Sequence, residues 1–236
     1  ALRKQGERVR VLAPCDGPPP DAGVTPLGNS LPTAANGSIA PIAPDPAAQL
    51  RVIRAMRDED FEVIHLHEPL SPGPNHTALL TRPAPLIGTF HAAGGSLAYD
   101  MMPKATRFLA GRLDDRCAVS EDAKKMAQES LGGQYDLTFN GVELARFASG
   151  TPHPTTGPTI FFLGRHEPRK GLRVLLDAMS QLPADTCLWV AGEGQETDEL
   201  AAERAGDRRI EWLGTISETE KIARLRGADV FCAPSL

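Results

Sequence analysis

The chain has 236 residues, 41% hydrophobic and 23% charged, the balance of a soluble globular protein long enough to bury a core without covalent staples. Its net charge of −5 provides no global basic field, and no nucleic-acid partner is expected. No apolar run approaches the ~20 residues that span a bilayer, and Cys15, Cys117, Cys187 and Cys232 stand too far apart for a disulfide framework or zinc site, reading as small buried hydrophobes of a reducing compartment.

The chain opens Ala-Leu-Arg-Lys-Gln-Gly, with neither Met nor signal peptide, like the last turn of a helix closed by Gly6. It stops after DVFCAPSL, and both ends read as cuts through a longer protein. Val9–Ala13 is the first candidate strand. Pro14–Pro46 holds seven further prolines between its end points and reads as a long surface excursion. Pro46–Asp58 is a candidate helix with apolar residues Leu50, Ile53 and Met56. Strands follow at Val63–His67 and Leu86–His91, a helix at Pro103–Leu113, and a strand at Arg116–Val119. Ser120–Leu131 is a helix with a good cap, an acidic first turn and Gly132-Gly133 after its end. Tyr135–Phe139 is the last strand of this series.

Gly150–Pro158 (GTPHPTTGP) then separates two βα series, predicting one domain over 1–149 and another over 150–236. The second holds strands Ile160–Leu163, Leu188–Ala191, Ile210–Leu213 and Val230–Cys232. Its candidate helices are Gly171–Gln181, with Leu172, Leu175, Leu176 and Met179 on one stripe, and Ser217–Arg226. Runs such as TIFFLG and CLWVAG suit strands buried on both faces, and their alternation with helices predicts an α/β fold with parallel sheets.

The sharpest local signal is Phe161-Phe162-Leu163-Gly164-Arg165-His166-Glu167-Pro168-Arg169-Lys170-Gly171. A buried strand ends at Gly164, Arg165 follows on a loop, and Lys170 sits where the next helix begins. Ligands of open α/β sheets bind beyond the carboxyl ends of the strands, and a helix start offers N–H groups to a phosphate. A guanidinium fork and an ammonium there suit a diphosphate and its charge on departure. On spacing alone, two solvated basic residues fit equally well. His166 receives no role.

This stretch resembles the Gly-Arg-x-x-x-x-Lys-Gly motif of glycosyltransferase family 4, retaining enzymes of the two-domain GT-B fold. Asp60-Phe61-Glu62-Val63-Ile64-His65-Leu66-His67-Glu68-Pro69, Thr89-Phe90-His91, Ala118-Val119-Ser120, Asn140-Gly141-Val142-Glu143 and Gly192-Glu193-Gly194 resemble further family segments in order and spacing. Within the family, HEP, FLGR…EPRKG and ADVFCAP resemble actinobacterial phosphatidyl-myo-inositol mannosyltransferases. The resemblance implies two Rossmann-like doubly wound parallel-sheet domains, both incomplete here. It also implies hexose transfer, with mannose from GDP-mannose as the leading reading, onto a lipid or glycan acceptor such as phosphatidyl-inositol. It gives Arg165 and Lys170 the diphosphate and His91 the transferred sugar, and these three are the catalytic candidates; a packed or capping histidine is the other reading of His91. Gly192 and the backbone of Ile216 join the donor site, with Glu218 and Lys221 beside the nucleobase, though an exposed i, i+3 charge pair explains the last two as well.

No metal cofactor is implied. His65 and His67 are read as facing opposite sides of their strand, which disfavours a metal site with Glu68. Tyr99–Arg112 is modestly amphipathic, suiting either an anionic membrane surface or its own sheet. After His91, the run Ala92-Ala93-Gly94-Gly95-Ser96 lacks the hydroxyl residues and Lys of the lipid-inositol enzymes. The family's Gly-rich first turn and its E-x7-E glutamates have no counterpart here, so this stretch alone is expected to be inactive. The implied location is cytoplasmic, at the inner face of the plasma membrane. A UDP-sugar transferase of the same fold and a non-catalytic nucleotide-sugar-binding remnant are the rival readings; a dinucleotide oxidoreductase is disfavoured because no G-x-G-x-x-G follows a strand.

Overall fold

The computed structural model describes residues 2–15, 17–19, 22–28, 30–35, 38–92 and 102–235. Two compact units divide it, Ala1–Asn140 and Gly141–Leu236. The division falls ahead of the Gly150–Pro158 segment because the short helix α5 (Leu144–Ala148) packs on the second unit, where Arg226 donates to the Ala148 carbonyl at 2.6 Å.

In the first unit, β5 (Ile64–His67), β6 (Leu86–Phe90), β7 (Asp115–Ala118) and β8 (Asp136–Leu137) form a parallel sheet in that order. Its core joins Leu66, Leu79, Leu86, Phe90, Leu131 and Tyr135. Helix α1 (Pro46–Asp58) begins where Asp45 accepts the Ala48 N–H at 3.0 Å and Pro46 fills the first position. It buries Ala48, Val52 and Met56, four residues apart, and leaves Leu50 and Ile53 exposed. The stripe expected through Leu50 and Ile53 is therefore rotated: small Ala48 lets the helix approach the core more closely than a leucine would.

Helix α2 (Pro74–Thr81) was not predicted. Its Ser-Pro-Gly-Pro approach has loop composition, but Pro74 at the first helical position is compatible with a helix start, and Leu79 is fully buried. Helices α3 (Pro103–Ala110) and α4 (Glu121–Leu131) complete the unit, the latter capped by Ser120 accepting the Ala123 N–H at 3.1 Å. The Pro14–Pro46 stretch is not the bare excursion expected. Strand β1 (Val11–Ala13) pairs in parallel with β2 (Val24–Pro26), and β3 (Leu31–Ala35) pairs antiparallel with β4 (Ser38–Ile42). Two-stranded ribbons have open edges that tolerate proline, and Leu27 and Ala43 reach the core.

In the second unit, β9 (Thr159–Leu163), β10 (Cys187–Ala191), β11 (Ile210–Gly214) and β12 (Val230–Phe231) form a parallel sheet in the order β11-β10-β9-β12. Phe162, Leu188 and Val190 pack with Leu172, Leu175 and Leu176 of α6 (Leu172–Ala178) and Leu200 of α7 (Thr197–Glu203). Phe161, Trp189 and Ala191 meet Leu225 of α8 (Glu218–Gly227) on the opposite face. Both faces are thus covered, as the apolar runs predicted.

The loops at the carboxyl edge of this sheet press backbone on backbone. Gly192 has φ +102°, and a Cβ there would strike the Gly164 carbonyl; one at Gly194 would strike His166 backbone, and one at Gly171 the Pro234 carbonyl. His166 is buried beneath the first of these loops. Its Nδ1 lies 2.9 Å from Thr197 Oγ1, which accepts the Gly194 N–H at 2.8 Å, while the His166 carbonyl accepts the Glu196 N–H at 3.1 Å.

Replacing buried Leu79 by Ala should lower unfolding free energy by about 2–5 kcal/mol, whereas Leu80→Ala, on the exposed side of α2, should change it by no more than about 0.5 kcal/mol in denaturant titrations. Burial pushes the His166 imidazole below its ordinary value near 6.5, with the Ala191 carbonyl and Glu193 opposing. Below about pH 6.5 the unfolded chain therefore binds more protons than the native one at this position, and stability falls as pH drops through that window. His166→Asn, which keeps a donor or acceptor for Thr197, should flatten that part of the stability–pH curve while the contributions of His65 and His67 remain.

Candidate functional site

The second sheet reverses its winding at β9. Strands β10 and β11 build outward on one side, with α6 and α7 on one face; α8 then crosses on the other face to set β12 on β9's free edge. The carboxyl ends of β9 and β12 therefore border a topological switch point, where open α/β sheets bind ligands. The chain leaves β9 at that point through Gly164 and Arg165.

Arg165 and Arg169 both reach Glu167, at 2.9 and 3.0 Å, and the Glu167 side chain is 15% exposed. Pro168–Lys170 form a short 3-10 turn closed by Gly171 in the left-handed region at φ +66°. No ion pair or hydrogen bond of the Lys170 ammonium occurs among the described residues, and the side chain is half-buried. Within the turn itself, Arg165, Arg169 and Lys170 carry three positive charges and Glu167 one negative, a formal surplus of two. The neighbouring Arg173 is engaged by Glu199 at 2.6 Å and Glu203 at 2.7 Å.

Gly192 follows β10 on the same edge, its N–H donating to the Gly214 carbonyl at 2.8 Å. Ile216 is partly buried against Phe161, Trp189 and Ala191. Ser217 caps α8 by accepting the Glu220 N–H at 3.1 Å, placing Glu218 and Lys221 on its first turn. The i, i+3 pair between Lys221 and Glu218 forms, and Arg146 of α5 reaches the other oxygen of Glu218 at 2.5 Å. The Lys221 hydrogen bond, with the Lys221 and Arg146 charges, holds the Glu218 carboxyl below its ordinary value and ionised. Each oxygen of Glu218 is thus engaged by a cation.

His91 lies in the first unit, just past β6. Its ring Nε2 is 2.9 Å from His67 Nδ1, and its backbone N–H donates to Glu68 Oε1 at 2.7 Å. His65 and His67 share one face of β5, with rings stacked 4.5 Å apart, which overturns the expectation that they diverge. The reason is elementary: residues two apart in a strand return to the same side. That spacing was the available signal for this cluster. Burial, then the neighbouring imidazole charges, lowers the pKa of His67; burial, then the His91 charge, lowers that of His65. Among the described residues no group of three or more His, Cys, Asp or Glu side chains is placed to hold a metal ion. Glu68 was weighed only as a partner of these histidines in a disfavoured metal site, not as an acceptor for the His91 backbone.

Of the amphipathic stretch 99–112, residues 99–101 lie outside the described residues, as do Ala93–Ser96. Helix α3 buries Thr106 and Ala110 and leaves Met102, before its start, and Phe108 exposed. Arg107 donates to the Ser130 carbonyl at 3.1 Å, and Arg112 to the Leu79 and Leu80 carbonyls, so these two cations are tied to the protein's own backbone. Among the described residues no helix is long and apolar enough to cross a membrane.

Residues 1–146 match the Glycosyltransferase Family 4 profile and residues 157–236 that of Glycosyl transferases group 1. A phosphatidyl-myo-inositol mannosyltransferase of Mycobacterium leprae is 36% identical over 248 residues, covering 100% of this chain and 65% of the relative. The protein of the same name from Mycolicibacterium smegmatis is 37% identical over 247 residues, covering 100% and 63%. The chain therefore spans 63 to 65% of the length of these curated relatives. Among solved structures, Anabaena HepE in complex with UDP-glucose aligns with a TM-score of 0.61 at 14% identity, over 90% of this chain and 60% of that one. A glycosyltransferase from Rickettsia africae aligns with a TM-score of 0.61 at 18% identity, over 84% and 59%. These two alignments speak to fold. With parallel-sheet units of GT-B type and a family profile covering more than half its length, the chain belongs to glycosyltransferase family 4.

Proposed function

We propose that the protein transfers mannose from GDP-mannose to a phosphatidyl-inositol lipid. The observation that carries this reading is the basic turn at the β9–β12 switch point, with its surplus of two positive charges beyond the carboxyl end of a buried strand. Relatives at 36–37% identity over the whole chain are named for this activity, which supports both the sugar and the lipid acceptor. Arg165 and Lys170 take the developing charge of the departing diphosphate. The Ile216 backbone, Glu218 and Lys221 read the base, Gly192 lets the loop approach the donor, and His91 meets the sugar.

The reaction follows the family's retaining course by analogy. The acceptor hydroxyl attacks the anomeric carbon on the face the phosphate leaves; the C–O bond to phosphate breaks, the new glycosidic C–O bond forms, and the hydroxyl proton passes to the leaving phosphate oxygen. No metal enters this scheme. With a nucleotide-sugar donor and a lipid acceptor, the protein works peripherally at the cytoplasmic face of the plasma membrane in this reading, and the exposed Met102 and Phe108 beside Lys104 are compatible with that contact.

Nucleotide-dependent melting tests the reading. GDP at about one hundred times its dissociation constant should stabilise the protein by about 2.7 kcal/mol, with UDP giving a smaller shift at equal concentration. Lys170→Ala and Arg165→Ala should each weaken GDP binding about tenfold or more. A larger shift with UDP would replace GDP-mannose by a UDP-sugar; no shift with either nucleotide would contradict the donor site itself.

A further inference from the structure

We infer that His67 is the positioning residue of His91: the two imidazoles share one hydrogen-bonded proton at the carboxyl edge of β5 and β6, and that link fixes which ring nitrogen His91 presents to the sugar. The inference rests on the reading above that His91 meets the transferred sugar.

The geometry is built from the strand pairing upward. Strands β5 and β6 run parallel with His67 opposite Thr89, so the residue after Phe90 emerges beside His67. The backbone at this corner is held at several points. Glu68 takes the left-handed conformation at φ +49°, and its N–H donates to the Thr89 carbonyl at 2.9 Å. That turn aims its carboxylate back at β6, where Oε1 accepts the N–H groups of His91 at 2.7 Å and Ala92 at 2.5 Å. Asn75 of α2 donates to the carbonyls of His67 at 3.0 Å and Glu68 at 2.9 Å. The ring of His67 is held as well: it stacks on His65 with ring centroids 4.5 Å apart, and His65 Nε2 is itself anchored 2.7 Å from Thr89 Oγ1.

Against this fixed base, His67 Nδ1 lies 2.9 Å from His91 Nε2. A hydrogen bond between two imidazoles requires a proton on one facing nitrogen and a lone pair on the other. Two neutral rings carry two N–H protons in all. One sits in the bond; the second resides on either His67 Nε2 or His91 Nδ1. If His67 donates, His91 carries its proton on Nδ1 and offers the sugar a donor. If His91 donates, its Nδ1 offers an acceptor. The nitrogen that meets a ligand is Nδ1 in both cases, and its character is set by the state of His67. Burial favours the neutral form of His67, consistent with a shared proton. Without His67, the His91 ring is released to rotate about its side-chain bonds and to populate both tautomers.

Two substitutions separate positioning from packing. His67→Phe keeps the ring volume and the stack on His65 but has no nitrogen; His67→Asn places an amide near the former Nδ1 and restores a hydrogen-bonding partner. Long-range proton–nitrogen NMR spectra of the 236-residue chain read the His91 tautomer directly. The wild type should show one dominant tautomer, His67→Phe a mixture, and His67→Asn a return to one. In transfer assays, His67→Phe should lower kcat about tenfold with KM for the donor changed less than twofold, and His67→Asn should recover most of the loss. His91 signals unaffected by His67→Phe would overturn the inference, as would loss of tautomer order with kcat unchanged while His91→Ala is inactive. If His91→Ala itself transfers sugar at the wild-type rate, the failure lies instead with the assignment of His91 to the sugar.

Discussion

Strand β9 is hydrogen-bonded on both edges, to β10 and β12, and covered on both faces, by Phe162's partners on one side and Phe161's on the other. A strand so enclosed opens to solvent only at its two ends, and its carboxyl end is the one that borders the switch point. The close approaches of Gly192 to Gly164 and of Gly171 to Pro234 follow, because side chains there would hold the loops apart. Arg165 and the 3-10 turn of Lys170 are delivered to a fixed place by this packing. Their charge is a local property of the turn; their position belongs to the whole sheet.

Both units place reactive side chains at the carboxyl edge of a parallel sheet, with contrasting electrostatics. The second unit gathers cations around one partly buried carboxylate, the arrangement a phosphate requires. The first gathers three imidazoles, of which His65 and His67 are pushed toward the neutral form by partial burial. Glu68 Oε1 accepts two backbone N–H groups and so holds the backbone of this corner.

Much of this was legible in the sequence where the cause is local. Asp45 and Ser120 announce their helices because a cap acts within three residues, and TIFFLG and CLWVAG reveal doubly covered strands by composition. The ribbons within Pro14–Pro46 were hidden because proline counts against strands in general, while open edges accept it. Helix α2 was hidden by its Ser-Pro-Gly-Pro approach. In the site, strand-end spacing pointed to Arg165 and Lys170, and the family resemblance added His91, Gly192, Ile216, Glu218 and Lys221 as candidates. It could not show Arg146 reaching Glu218 across 72 residues, nor Glu68 folding back on His91 across 23. The stacking of His65 on His67 was within reach of the sequence, since strand periodicity alone places them together.

The central claim is that Arg165 and Lys170 hold a diphosphate. Calorimetric titration of GDP and GMP into the protein and into an Arg165→Ala, Lys170→Ala double variant tests it most directly. The account predicts that GDP binds the wild type at least about tenfold more tightly than GMP, and that the double variant loses this preference. Equal affinity for GDP and GMP in the wild type, or a preference that survives removal of both cations, would contradict it.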